Sequence, residues 1–279
     1  DFDKFAGAAY SIAFDAWNPD GRVNQISTVH NLGDNFSKAF EITYEDVDGA
    51  HKNVIQTCYG FGVSRVVAAV IAQHGDDRGL ILPPEIAPIQ VVIIPIVYKE
   101  VAQEVNAYAR ELYKKLKVEG IRVHLDDSED KTPGEKFYYW ETFGVPVRAE
   151  VGPRDQKERK VTLSERVSLE RRVVNFENAA EAIKDLFAEV LRNLEERSSS
   201  ILKNLIVTAF NASSLNEIIE SKKIARVCWC ESIKCAEKIR DLSGGEIRGH
   251  RIDVEEKPEA PCIICGQQAK KVIYVARAY

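Results

Sequence analysis

Residues 58–65 read Cys58-Tyr59-Gly60-Phe61-Gly62-Val63-Ser64-Arg65 and contain the strand-to-helix transition on which the fold prediction rests. Residues 53–58 predict a strand, and the helical spacing that begins at Ser64 continues to His74 before Gly75 ends it. A glycine pair allows a planar or phosphorylated ligand to lie against the backbone. A helix amino terminus with a nearby guanidinium suits phosphate oxygens. The spacing alone fits a nucleotide site and an ordinary turn with a surface arginine equally well.

A dinucleotide-dependent enzyme is a weaker interpretation of the same glycines. Its fingerprint needs a third glycine, which is absent here, and a strand with an acidic ribose ligand after the helix. Pro83-Pro84 follows the helix instead. The glycine pattern therefore fits nicotinamide or flavin binding poorly.

The residues before this transition predict antiparallel strands. Polar and apolar residues alternate from Ala9 to Trp17, a turn follows at residues 18–21, and the extended pattern resumes from Arg22 to Ser27. We expect a loop through Gly33 and a further extended segment over residues 36–43. Residues 1–84 are thus predicted to form an antiparallel sheet closed by a helix.

After Pro83-Pro84 the pattern changes to alternating strands and helices. We predict a mixed-sheet α/β domain over residues 85–197 with these elements: strand 91–97, helix 100–117, strand 121–125, a helix capped by Thr132, Pro133 and Glu135 that ends near Gly144, strands 145–151 and 160–163, and helix 178–196. Three serines, residues 198–200, predict a linker to a third, small α+β domain over residues 198–279.

Five of the six cysteines lie in this third segment, in two close groups. The first group is Cys228-Trp229-Cys230 with Cys235, and the second is Cys262-Ile263-Ile264-Cys265 followed by Gly266. Two close pairs that converge can place four thiolates around a tetrahedral zinc ion, and no position then remains open for water. Buried free thiols are the alternative.

Composition sets broad limits on function. A formal charge of −5 means that any nucleic-acid contact must come from a local patch. The basic cluster of Arg166, Arg171 and Arg172 could contact phosphates, although a solvated face is the commoner explanation of such a cluster. No apolar stretch approaches the roughly 20 residues of a membrane span, and no secretory signal is visible, so we expect a cytoplasmic protein without membrane contact. Methionine is absent and the first residues run directly into a strand pattern, so we expect an upstream segment.

Several blocks in a fixed order resemble prolyl-tRNA synthetases of the archaeal and eukaryotic type. The resemblance is carried by residues 3–8, 19–22 and 25–38, by residues 58–65, which look like motif 3 of class II synthetases, and by residues 74–84 and 144–155. It implies a partial antiparallel class II catalytic sheet in residues 1–84, an anticodon-binding domain in 85–197 and a zinc-binding domain in 198–279. The family's motifs 1 and 2 have no counterpart in these residues.

The resemblance implies a ligase that joins L-proline to tRNA(Pro) through prolyl-adenylate, using ATP and Mg²⁺, and that acts as a homodimer when full length. Gln25, Thr28, Ser64 and Arg65 would face ATP, and His30 would line the proline pocket, so Arg65 and His30 are the catalytic candidates. Without the family, His30 would be interpreted as a solvated loop residue. The reaction needs two anions held in line, and Arg65 alone cannot hold them. In the family, motif 2 carries the arginine that binds the α-phosphate. Because motif 2 has no counterpart in these residues, we expect this chain alone not to form prolyl-adenylate.

The remaining implied roles concern tRNA and zinc. Aromatic residues in the helix over 136–141 can stack on anticodon bases, and charged side chains can bind base edges; the tRNA-binding candidates are Lys136, Glu141, Arg148, Glu150 and Arg154. Phe137 and Trp140 fit core packing equally well. The family's zinc positions match Cys230, Cys235, Cys262 and Cys265, which leaves Cys228 as a spare. The chain ends in Tyr279, as family members do, with a frayed terminus as the alternative. A non-catalytic tRNA-binding module derived from a synthetase is the alternative function.

Overall fold

The computed structural model describes residues 4–279, so Asp3, the first residue of the block at 3–8, lies outside the described residues. The amino-terminal elements are β1 (Tyr10–Trp17), β2 (Arg22–Gly33), α1 (Asn35–Ala39), β3 (Thr43–Glu45), β4 (His51–Asn53), β5 (Gln56–Phe61) and α2 (Val63–His74). β2 is antiparallel to β1 on one side and to β5 on the other. The predicted antiparallel sheet is therefore confirmed.

The middle of the chain alternates strands and helices. Its elements are β6 (Val91–Pro95), a 3-10 turn (Lys99–Val101), α3 (Ala102–Val118), β7 (Val123–Leu125), α4 (Pro133–Thr142), β8 (Val147–Val151), α5 (Pro153–Glu158), β9 (Lys160–Glu165), β10 (Arg171–Asn175), a second 3-10 turn (Phe176–Asn178) and α6 (Ala179–Leu205). The five strands are ordered β10-β9-β8-β6-β7, with parallel pairs at β6 and antiparallel pairs at β9. The predicted mixed sheet is confirmed.

The last elements are β11 (Ile206–Thr208), α7 (Ala212–Glu220), β12 (Ile224–Trp229), α8 (Ile233–Ser243), β13 (Glu246–Gly249) and β14 (Lys271–Ala278). β14 pairs with β12 and β13, and its end runs parallel to the start of β2. The amino-terminal strands and the carboxyl-terminal strands thus form one seven-stranded sheet, ordered β1-β2-β14-β12-β11 with β5 and β13 beside it.

Backbone contacts group residues 1–69 with 202–279 as one unit and residues 70–201 as a second unit. In the second unit, α3 and α6 pack on one face of the sheet around Leu112, Leu116 and Ile183, while α4 covers the other face through Phe137 and Trp140. In the first unit, α7, α8 and β14 enclose a core that includes Leu215, Ile219, Ile239 and Ile273. The division of the chain into 1–84, 85–197 and 198–279 stays a prediction.

Three local predictions were wrong. Residues 28–33 continue β2 rather than forming a loop, because β1 and β5 both pair with them. Residues 35–39 form a helix rather than an extended segment, with Lys38 paired to Asp34 one turn earlier at 2.8 Å. The three serines lie inside α6 rather than in a linker, because serine does not break a helix whose apolar spacing continues on both sides.

The predicted cap of α4 is confirmed in detail. Thr132 Oγ1 accepts from the amide of Glu135, and the Glu135 carboxylate accepts from the amide of Thr132 at 2.7 Å, with Pro133 in the first helical turn. Among residues 4–279, no helix combines the length and apolar character needed to span a bilayer. The cap is relevant to the predicted site because α4 carries two of the five predicted tRNA-binding residues, Lys136 and Glu141.

Candidate functional site

A β-bulge in the first hairpin places the predicted ATP and proline residues on one face of β2. Thr28 and His30 are two residues apart and share a face by strand alternation. Gln25 lies three residues before Thr28, so regular alternation would put the two on opposite faces. The register shift at Phe14/Asp15 changes this. Thr28 pairs with Ala13 and Gln25 pairs with Asp15, and these two β1 residues share a face because they are two positions apart. The bulge therefore brings Gln25 into line with the other two.

The far edge of β2 is shared by two strands, and residues 62–65, which connect β5 to α2, contact the part of β2 between them. β14 pairs with Arg22 and Val23, whereas β5 pairs from Ser27 onward. Two β2 carbonyls between these paired segments accept hydrogen bonds from the strand-to-helix transition after β5. Gly62 N donates to the Ile26 oxygen at 2.8 Å, and Arg65 Nη1 donates to the Gln25 oxygen at 2.9 Å. Arg65 is thus anchored at the bulge.

Other groups on this face surround His30. Ser11, its cross-strand partner on β1, brings its Oγ to 2.7 Å from His30 Nδ1, and the Phe5 ring lies 4.8 Å from the imidazole. Cys58 is the cross-strand partner on β5. Ser64 is exposed in the first turn of α2. Gln25, Thr28 and His30 thus lie on β2, and Arg65, in α2, is tied to the same strand by its hydrogen bond to the Gln25 backbone oxygen.

In the second unit, Arg148 is the centre of a mostly buried charge network. Its Nη1 donates to Glu141 at 2.7 Å, its Nε donates to Glu150 at 3.0 Å, and its guanidinium stacks over the Phe137 ring at 4.1 Å. Glu150 is also paired with Arg171. Four of the predicted charged or aromatic residues on α4 and β8 therefore form one cluster whose geometry is fixed by its own contacts.

The other two tRNA-binding candidates occupy opposite environments. Lys136 is buried, and its ammonium donates to the Asp126 and Ser128 carbonyls at 2.9 and 2.6 Å and pairs with the Asp126 carboxylate. Its donors are satisfied inside the unit, so the structure favours a structural role for Lys136. Arg154 has an exposed side chain and contacts Glu158 one turn later in α5. Tyr138 on α4 and Phe143, the residue that follows the helix, are exposed aromatic residues.

The sequence reasoning missed a clamp formed by Asp76 and Arg166. Arg166 is buried, donates to both Asp76 oxygens at 2.6 and 3.0 Å, and donates through Nε to the Glu141 carbonyl. The Arg166 hydrogen bonds hold the pKa of Asp76 at about 2, below its usual value of 3.8, despite partial desolvation. The predicted basic patch is therefore divided: Arg166 is committed to Asp76, Arg171 to Glu150, and Arg172 to Glu170 and Glu189.

Four cysteines converge in the carboxyl-terminal segment. All six cysteines lie in the described range and are free thiols, and the ligand atoms of Cys230, Cys235, Cys262 and Cys265 all lie within 4.8 Å of one another. The Sγ atom of Cys230 is 3.7 Å from those of Cys235 and Cys265. Cys228, in β12, is buried and lies outside the four.

The spacing of these sulfurs suits a tetrahedral metal. A Zn–S bond of about 2.3 Å places the sulfurs of a regular tetrahedron about 3.8 Å apart, whereas a disulfide needs about 2.05 Å. Gly266, with φ of 69°, closes the turn after Cys265, and its amide donates to the Cys262 carbonyl at 2.9 Å. Although burial opposes it, hydrogen bonds from the backbone of Cys265 and Ile264 lower the pKa of Cys262 to about 7. The donor set fits structural zinc.

Tyr279 is not frayed. Its hydroxyl donates to Asp20 at 2.8 Å and accepts from Asn18 at 3.4 Å, and the Arg22 guanidinium lies 5.5 Å from its ring centroid. Nearby, Trp17 Nε1 donates to the Lys222 carbonyl at 3.1 Å. The end of the chain is thus tied to the turn between β1 and β2.

Three family models match the chain. They are the tRNA synthetase class II core domain (G, H, P, S and T) at residues 2–74, the anticodon binding domain at residues 90–186, and the prolyl-tRNA synthetase C-terminal domain at residues 213–279.

Curated relatives and a solved structure give the same result. The proline–tRNA ligase of Pyrobaculum arsenaticum is 46% identical to this chain over 254 residues, which cover 91% of the chain. The proline–tRNA ligase of Thermofilum pendens is 42% identical over 280 residues, which cover 100% of the chain. The chain spans 52% and 58% of those relatives. The Giardia lamblia prolyl-tRNA synthetase, solved in complex with prolyl-adenylate, matches the whole chain with a TM-score of 0.93 and 32% identity, and the chain covers 60% of it.

Proposed function

The chain belongs to the prolyl-tRNA synthetase family, and from that premise we propose that it supplies part of the catalytic face, the anticodon-binding domain and a zinc-binding domain of a proline–tRNA ligase. The observation that supports this most directly is the common face of Gln25, Thr28 and His30, with Arg65 anchored at its bulge. We propose that a nucleotide and a small amino acid bind side by side on this face.

In the proposed reaction, the proline carboxylate attacks the α-phosphorus of ATP, the bond to the bridging oxygen breaks, and pyrophosphate leaves with that oxygen. A ribose hydroxyl at the 3′ end of the tRNA then attacks the carbonyl carbon of prolyl-adenylate, an ester bond forms, and AMP leaves. The first step brings two anions together, so holding them in line and neutralising their charge matter more than a base does. We assign Arg65 to the ATP side of the face and His30, oriented by Ser11, to the proline side. Gln25, Thr28 and Ser64 complete the ATP side.

Mg²⁺ would supply further charge neutralisation at the ATP phosphates. On the face of β1 and β2, the carboxylate in register with Gln25 is Asp15, and Arg248 already pairs with it at 2.7 Å. Mg²⁺ is usually held by one or two carboxylates together with substrate phosphates. We therefore assign the ion chiefly to the ATP phosphates rather than to a protein cage.

Proline-dependent exchange of pyrophosphate into ATP tests the proposal on the full-length protein that carries this chain. We expect exchange with proline, and a loss of about a hundredfold or more in Arg65→Ala because a phosphate-binding donor is removed. Arg192→Ala, at an exposed arginine of α6 in the other unit, is the matched control. The isolated 279-residue chain is expected to bind tRNA without exchange. A full-length protein that binds tRNA but never exchanges pyrophosphate would support the non-catalytic module instead.

For tRNA recognition, we propose that the cluster of Glu141, Arg148 and Glu150 binds base edges while exposed aromatic residues of α4 stack on bases. Glu141→Gln keeps the size of the side chain but changes one acceptor into a donor, so it should weaken tRNA(Pro) binding about tenfold or more. Reversing the charge of Arg148 should weaken it further. Unchanged tRNA affinity in both variants, with the fold and zinc content retained, would remove the cluster from recognition.

We further propose that Cys230, Cys235, Cys262 and Cys265 bind one structural zinc ion. Metal analysis should give one zinc per chain, and Cys265→Ser should lose it, whereas Cys58→Ser, at an exposed cysteine on β5, should retain it. Less than stoichiometric zinc after gentle preparation would contradict the site. The homodimer and the cytoplasmic location implied by the family are also proposals, and sedimentation of the full-length protein tests the first.

A further inference from the structure

Arg248 connects the carboxyl-terminal segment to the face that carries the proposed nucleotide site. It lies in β13, and its Nε donates to Asp15 Oδ2 on β1 at 2.7 Å. Both side chains are mostly buried, with 19% and 16% of their surfaces exposed. A charge-assisted hydrogen bond in such a setting restrains both partners more strongly than a surface ion pair does.

The position of Asp15 gives this contact its importance. Asp15 is the residue at which the register between β1 and β2 shifts, and it pairs with Gln25 across the bulge. A bulge leaves one residue without a regular partner and makes the local backbone direction depend on neighbouring contacts. The side chain that holds Asp15 therefore helps to set the position of the Gln25 and Ile26 carbonyls.

Those two carbonyls are the anchors of motif 3. Arg65 Nη1 donates to the Gln25 oxygen at 2.9 Å, and Gly62 N donates to the Ile26 oxygen at 2.8 Å. A continuous path of contacts thus leads from Arg248 through Asp15 and the bulge to Arg65. His30, on the proline side of the face, is held instead by Ser11 and Phe5, which are not part of this path.

We propose that Arg248 is a positioning residue for the nucleotide site, acting through Asp15 and the bulge at Gln25 on Arg65. The inference rests on the proposed function, since it assigns the site to ATP. It predicts a selective effect: loss of Arg248 displaces the group on the ATP side, and a misplacement of about 1 Å at a reacting group can cost up to about a hundredfold. The proline side should be almost unaffected.

The test uses the full-length protein that carries this chain, with Arg248→Ala, Asp15→Asn and the double variant. We measure ATP affinity by equilibrium binding, and the KM values for ATP and for proline in pyrophosphate exchange. Each single variant should weaken ATP binding and raise its KM about tenfold, with less than a twofold change in the KM for proline. Because both residues act along one path, the double variant should be no worse than either single variant. Arg248→Lys, which keeps the charge and one donor, should recover part of the loss.

Arg251→Ala is the matched control, since Arg251 lies in the same segment but pairs with Asp253 at the surface. It should leave both KM values unchanged. Three results would overturn the inference: additive effects in the double variant, equal changes in the KM values for ATP and proline, or unchanged ATP affinity in Arg248→Ala. Proline-dependent exchange by the parent protein would still uphold the proposed function in each case. Conversely, a parent protein without proline-dependent exchange whose ATP affinity still falls in Arg248→Ala would uphold the inference and overturn the proposed function.

Discussion

The sheet of the second unit and the strands β1, β2 and β5 are held in different ways. Val91 and Ile93 of β6 are fully buried between helices, whereas Tyr59 and Phe61 of β5 have 79% and 59% of their surfaces exposed. The sheet of the second unit is fixed by apolar burial on both faces. The strands β1, β2 and β5 present polar groups on the face of the proposed site, and their geometry depends on a bulge and a few hydrogen bonds. We therefore expect a substitution in the buried sheet to affect stability more, and a substitution in β1, β2 or β5 to affect the proposed chemistry more.

The largest expected effect comes from opening a cavity in the enclosed sheet. Leu112 of α3 is fully buried, so Leu112→Ala should lower the free energy of unfolding of the second unit by about 2–5 kcal/mol. Phe61→Ala, at an exposed position of comparable apolar character, should cost less than about 1 kcal/mol. Hydrogen exchange of the β6 and β5 amides measures the two effects separately. Equal losses of unfolding free energy in Leu112→Ala and Phe61→Ala would show that the two sheets do not differ in how much their side chains contribute to stability.

The same contrast explains which structural predictions succeeded. Strands and helices of the second unit follow from runs and spacings of apolar residues, and the capping box at Thr132 follows from local hydrogen-bonding chemistry, so both were predictable from the sequence. The extension of β2 beyond Ser27 was not predictable in this way. It depends on partners from β1 and β5, and long-range pairing leaves little local signal.

The candidate site shows the same limit. The motif residues Gln25, Thr28, His30 and Arg65 were found through a family resemblance, and strand alternation alone would place Gln25 on the opposite face from Thr28. The bulge that corrects this is visible only in the register. Asp76 and Arg166 are 90 residues apart, and no spacing rule pairs them. By contrast, cysteine spacing was enough to locate the two groups that converge, and the family resemblance selected Cys230 rather than Cys228 as the fourth member.

A smaller, pH-dependent effect should come from the Asp76–Arg166 clamp in the enclosed unit. The folded-state pKa of Asp76 is about 2, below its usual 3.8, so its contribution to stability is complete above about pH 4 and is lost as the pH falls toward 2. Because the Asp76 side chain is about a third exposed, we discount the full shift and expect about 1 kcal/mol. The measurement is urea unfolding of the second unit between pH 2 and 5.

Asp76→Asn should lose stability above pH 4 and show a shallower pH dependence than the parent protein over this range. Asp126, whose pKa is also about 2, contributes in the same window, so some dependence remains in the variant. Asp77→Asn, at the neighbouring exposed aspartate, is the control. Identical pH profiles for the parent and Asp76→Asn proteins would mean that the clamp contributes through Arg166 packing rather than through charge.

The smallest effect on stability should come from Arg154, although it lies in the enclosed unit. Its side chain is 87% exposed and pairs only one turn along the short helix α5 with Glu158, an arrangement that contributes little in water. Arg154→Ala should therefore leave the unfolding midpoint unchanged. If Arg154 contacts tRNA, as the family resemblance implies, the same variant should weaken tRNA(Pro) binding several-fold and reduce its salt dependence, because a phosphate or base contact from an arginine is removed. A shift in the unfolding midpoint without a change in tRNA affinity would reverse both assignments, and Arg154 would then belong with the structural charges of its unit.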